Sequence, residues 1–198
     1  MSLSRSLSLA LLMIATRFGS VRAQRRWDQR LPPPRDLQFY EPRNKLDELE
    51  NQVETVLVKG RTYVGTLRLQ SGSVRVEATE IRNAANATRV TGVGITINPE
   101  LTIEVRSLID YEEIDRLVKA LDLMVKADDS ITKLAHFEIR YRTRGDFEVM
   151  IVKQISGSVV VAIEGGFFER TRLFLTPDEL TKLRWLIAQA KEKLDEVK

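Results

Sequence analysis

Cysteine is absent from the 198 residues, and histidine occurs once, at position 136. The first absence excludes disulfides, thiolate nucleophiles, zinc–thiolate sites and cysteine-held iron–sulfur clusters. The second excludes a metal site built from several imidazoles. A serine-type triad would have to use His136 as its base. Phosphate loops are missing as well. Neither Gly92-Val93-Gly94 nor Gly165-Gly166 is followed by a lysine and a hydroxyl residue leading into a helix. The acidic pairs Glu112-Glu113, Asp128-Asp129 and Asp178-Glu179 sit near expected helix ends, where capping and the helix dipole account for them. The residues therefore indicate no catalytic set, no metal ligands and no cofactor.

Long apolar runs are also scarce. Leu7–Ala15 reads LSLALLMIA, well short of the roughly 20 residues that cross a bilayer as a helix. Arg5 precedes this run, and Val21-Arg22-Ala23 follows it. A charged start, a short apolar middle and an A-x-A-like end predict a secretory signal peptide over residues 1–23, cut between Ala23 and Gln24. The location expected is periplasmic or extracellular. Mitochondrial or plastid import is the alternative, because the segment is Arg- and Ser-rich and has no acid before Asp28.

The net charge of +3 comes from 31 basic and 28 acidic residues. Residues 1–23 hold three arginines and no acid, so cleavage leaves 28 of each sign. Nucleic-acid affinity depends heavily on phosphate neutralisation, and a balanced chain offers no global excess for it. Residues 24–43 contain Pro32-Pro33-Pro34 among scattered arginines. Proline lacks a backbone donor and fixes φ, so this stretch reads as an extended arm.

Residues 44–198 read as one α+β domain: antiparallel sheets from two related halves, about 53–127 and 134–198, each ending in a helix packed on the sheet. In the first half the alternation predicts strands over Glu54–Lys59, Tyr63–Gln70, Ser73–Arg82, Val90–Ile97 and Leu101–Leu108, with turn residues between them. A helix opens at Asp110, whose side chain is the expected cap, with Glu113 completing a capping box. Ile114, Leu117, Val118, Leu121 and Val125 form its apolar stripe. The second half repeats this with strands Phe137–Thr143, Phe147–Lys153, Ser158–Glu164 and Arg170–Leu175. Its helix starts at Thr176-Pro177-Asp178-Glu179, with a threonine cap, proline first and glutamate third. A shift of 66 residues lays Leu180 on Ile114, Leu183 on Leu117 and Ile187 on Leu121.

Two resemblances accompany these patterns. TKLAHFEIRYRTRGDF with LTPDELTKLRWLIAQAKEKLD, preceded by IDYEEIDRLVKALD, resembles a group of exported bacterial proteins that has no assigned function and so transfers no catalytic residue. The repeated strand-and-helix units, with VKGRT at Val58–Thr62, resemble Whirly and transcriptional-coactivator-type single-stranded DNA-binding folds. That likeness implies a nucleic-acid face including Lys59 and Arg61.

Arg140, Arg142 and Arg144 stand out among the polar residues. At a strand period of two they share one face, continued by His136 and Glu138, and guanidinium forks suit oxyanions. Pairing with Glu138 and Glu148 is the structural alternative. The functional expectation is an exported, non-enzymatic binding or structural module whose partner is a protein, glycan or other anionic surface ligand. The alternative is a Whirly-like binder of single-stranded nucleic acid.

Overall fold

The computed structural model describes residues 41–128, 130–167 and 169–197. The expected signal peptide and its Ala23/Gln24 junction lie outside the described residues, as does most of the Pro/Arg-rich arm. A six-residue helix α1, Lys45–Glu50, comes first. Strands β1 (Leu57–Leu69), β2 (Gly72–Asn83), β3 (Arg89–Pro99) and β4 (Val105–Asp110) then form an antiparallel meander in sequence order. Helix α2, Tyr111–Val125, closes the first half. The second half is a similar meander of β5 (Phe137–Arg142), β6 (Glu148–Lys153), β7 (Val159–Gly165) and β8 (Thr171–Leu175), closed by α3 (Pro177–Asp195). Two four-stranded sheets, each followed by a helix, are the predicted α+β architecture and are compatible with an internal repeat.

Three local expectations are corrected. The strands expected over Glu54–Lys59 and Tyr63–Gln70 are one strand, because Gly60 stays in the ladder opposite Glu80. The irregularity falls instead between Tyr63 and Gly65, where the register slips by one residue and the strand bulges. The strand expected from Leu101 starts only at Val105. Finally, Asp110 does sit at the N-cap of α2, but its side chain makes no bond to that helix. It lies on the outer face of β4 and accepts the backbone N–H groups of Lys45 at 2.8 Å and Leu46 at 3.0 Å. The α2 acid thereby caps α1. Thr176, by contrast, forms the full expected capping box with Glu179.

Inward-facing residues of both sheets and the stripes of both helices form one continuous core. Paired positions such as Val74 with Ile97, and Ile97 with Val105, build its rows in the first sheet. Ile114, Leu117, Leu121, Leu183 and Ile187 are fully buried. α3 does not stay over its own strands; it packs against β1, β2 and β3. Leu186 occupies the space where a Cβ on Gly65 would stand, so the bulge leaves room for the helix. α2 and α3 run antiparallel, joined by Tyr111 to Asp195 and by Arg184 to Asp122 at 2.8 Å. A smaller core of Leu46, Leu49, Ile81 and Leu108 fastens α1 to the outer face of the first sheet. Among the described residues, no helix is long and apolar enough to cross a membrane.

Candidate anion-binding face

Two sheet faces carry arginines, and they differ in what the guanidinium groups already hold. On the second sheet, register aligns Arg142, Glu148, Glu164 and Arg172 in one row across four strands. The Glu148 side chain is only 4% exposed and lies 3.2 Å from Arg140 Nε and 3.1 Å from Arg170 Nη2. Glu164 takes Arg170 at 2.5 Å and Arg172 at 2.7 Å. Arg140 also reaches Glu138 at 2.5 Å, while Asp146 takes both Arg142 and Arg43. Buried carboxylates stay ionised when charge-assisted bonds surround them. Burial alone pushes the Glu164 carboxyl up, but the Arg172 hydrogen bond and the Arg170 and Arg172 charges outweigh it and hold the group below its ordinary range.

The four residues singled out on this strand therefore do not converge on an open site. Arg140 and Arg142 share the predicted face but engage carboxylates. Arg144 leaves the row, since β5 ends at Arg142 and the chain turns. Its backbone N–H donates to Glu113 Oε1 at 3.2 Å, with its guanidinium 4.0 Å from the same oxygen. His136 is exposed just before β5 and lines a shallow depression with Val152, Lys153 and Gln154.

The outer face of the first sheet is different. Lys59, Arg61 and Tyr63 alternate along β1, with Arg61 opposite Thr79 and Tyr63 opposite Glu77. Lys59 pairs with Glu50 at 2.7 Å. One row further on, Thr66, Arg75, Thr96 and Arg106 lie side by side. Arg106 lies flat across Gly94: a Cβ there would stand 2.8 Å from Arg106 Nη2 and 3.1 Å from Nε. Its Nη2 donates to the Thr79 hydroxyl at 3.2 Å. Its Nε is buried and has no hydrogen-bond partner among the described residues, and the same is true of Arg75 Nε. Burial above all, then the nearby Arg61 charge, depresses the Arg106 pKa, with Glu50 and Glu77 opposing. Among the described residues no carboxylate comes within ion-pair distance of Arg61 or Arg106, whereas Arg75 reaches Glu104 at 3.4 Å.

A buried guanidinium with an unused donor is costly, and a hydrogen-bond acceptor such as an oxyanion satisfies it. A cavity of about 130 Å3 opens beside Arg106, lined among the described residues by Arg43, Asn44, Asp47, Glu50, Leu108, Gly145, Asp146 and Phe167 as well. The Whirly-like resemblance pointed to Lys59 and Arg61, and neither it nor the patterning singled out Arg75, Thr79 and Arg106 as site residues. The signal was an arginine inside the otherwise buried strand VRSLID, next to a strand whose Gly92 and Gly94 leave room for a long side chain.

No protein-family model matches the chain, and no curated protein matches it.

Proposed function

We propose that this chain is an exported, non-enzymatic binding module whose ligand presents an oxyanion to the outer face of the first sheet. The observation that carries this reading is Arg106, a half-buried guanidinium over Gly94 whose only hydrogen-bond partner among the described residues is Thr79. Arg61 and Arg75 add positive potential on the same face. The arginines of the second sheet serve as its structural counterpart, binding Glu148 and Glu164 in place of a ligand. Export rests on the pattern of residues 1–23. Sequencing the mature N-terminus after expression of the full chain yields Gln24 if this holds, and an intact Met1 overturns it.

The ligand test is calorimetric titration with acetate, phosphate and sulfate at low ionic strength, where charge-assisted contacts are least screened. Arg106→Gln lowers affinity at least about tenfold, the equivalent of one lost interaction of 1.4 kcal/mol, while Arg172→Gln leaves it unchanged. Equal affinity in the native chain and the Arg106 variant overturns the reading.

A second reading, a binder of single-stranded nucleic acid, is favoured by Tyr63. This side chain is 62% exposed on the same strand as Lys59 and Arg61, a spacing that offers a stacking surface beside cations. An oligonucleotide titration decides it: affinity that falls steeply with salt and with Tyr63→Ala supports the reading, and no binding at low salt removes it.

A further inference from the structure

Between α1, β4 and the turn joining β5 to β6, the cavity beside Arg106 holds charges of both signs. Arg43 and Arg106 supply guanidinium groups, and Asp47, Glu50 and Asp146 supply carboxylates. Most of these charges are already engaged by the protein. Asp146 binds Arg43 and Arg142. Asp47 accepts from the Arg43 backbone at 3.0 Å and from Asn51. Glu50 holds Lys59 through Oε1. Arg106 alone among the lining cations has no carboxylate at ion-pair distance among the described residues. Leu108 and Phe167 supply apolar wall, with the Arg43 guanidinium lying 4.0 Å over the Phe167 ring.

A ligand bearing only negative charge would satisfy Arg106 but lie beside Glu50, whose Oε2 is not taken up by Lys59. A ligand bearing only positive charge would suit Glu50 but face two guanidinium groups. A ligand with one charge of each sign matches both walls. Size narrows it further. The cleft measures about 130 Å3, and an enclosed apolar cavity of about 150 Å3 accommodates benzene, so the part of a ligand seated here is a handful of non-hydrogen atoms.

We propose that this cavity binds a small zwitterion, of the class of the smallest amino acids, with its carboxylate on Arg106 and its ammonium toward Glu50. This inference rests on the oxyanion reading above and narrows its ligand. The planar fork of Arg106 suits a carboxylate. Glu50, on the last turn of α1, holds Lys59 through Oε1 and takes the ammonium through Oε2, which has no hydrogen-bond partner among the described residues. The capping of α1 by Asp110 holds Glu50 in place relative to β4.

The test is calorimetry and thermal shift on the full chain with glycine, alanine, acetate and methylammonium as separate probes. Glycine or alanine saturates the site at least tenfold more tightly than acetate or methylammonium. Arg106→Gln weakens glycine binding at least tenfold, and Glu50→Gln does so without weakening acetate. Acetate binding as tightly as glycine overturns the zwitterion assignment while leaving the oxyanion reading intact. Absence of binding by all four probes to a chain with a native circular dichroism spectrum overturns the zwitterion assignment; if phosphate and sulfate also fail, the oxyanion reading falls with it. Tryptophan binding as tightly as glycine overturns the size limit and the assignment with it. Glu50 lies outside both hydrophobic cores, so its variant stays informative even if the Arg106 variant fails to fold.

Discussion

Gly94 and Arg106 act as one unit, because the guanidinium occupies the volume that any side chain at position 94 would need. Gly94→Ala therefore lifts Arg106 off the sheet and away from Thr79. The expected outcome is loss of oxyanion affinity by tenfold or more with the fold retained, measured by calorimetry beside circular dichroism. A second residue-scale expectation concerns pH. The folded-state pKa of Glu164 lies below its ordinary value near 4.5. Its ionised form thus contributes stability above that value, and the contribution is lost as pH falls through the depressed folded pKa. Urea unfolding followed from pH 7 down to 3 shows a decline that Glu164→Gln flattens below about pH 4.5. An identical decline in both proteins refutes this role. At this scale the sequence was only partly legible. Alternation put Arg140 and Arg142 on one face correctly, because parity along a strand is local. The pairing of that row with Glu138 and Glu148 was legible as well, but Glu164 beside Arg170 and Arg172 was not, since cross-strand register is set by the hairpins. Arg144 was misplaced because Thr143–Phe147 turns, with Asp146 in a left-handed conformation at φ 62°.

Among the elements, the two long helices start in different ways despite similar spacing of their acids. Thr176→Ala removes the capping box of α3 and costs about 1 kcal/mol. Asp110→Ala acts elsewhere: it strips two backbone N–H groups of α1 of their acceptor and leaves them in a buried setting. That costs about 1–3 kcal/mol. Hydrogen exchange locates the effect, with Lys45–Glu50 losing protection and α2 keeping it. Loss of protection in α2 instead would return Asp110 to its conventional role. The helices themselves were legible from their stripes, since Ile114, Leu117, Leu183 and Ile187 all reach the core as spaced. The cap of α2 was not, because Asp110 also belongs to β4, and strand parity aims its side chain at the outer face, under α1.

For the whole molecule, the shared core decides cooperativity. Residues from β1–β3, β6–β8, α2 and α3 belong to a single buried cluster, so neither half can retain its packing alone. Differential scanning calorimetry of residues 41–198 gives one transition with equal calorimetric and van't Hoff enthalpies. Two resolved transitions would show halves that unfold independently. The 66-residue repeat predicted the similarity of the halves, yet the partner of each helix depended on contacts far apart in the chain. The placement of α3 over β1–β3 follows from the bulge and from Gly65, features whose meaning emerges only once Leu186 lies against them.

That placement has a consequence for how the protein is made. Helix α3 is made long after the strands it covers, so Leu67, Val74 and Val76 lack that cover until residue 195 has left the ribosome. A nascent chain stalled before Thr176 cannot finish either half. The shared core therefore closes only after residue 195 has emerged, and strands β1 to β3 of the first sheet wait longest for their cover.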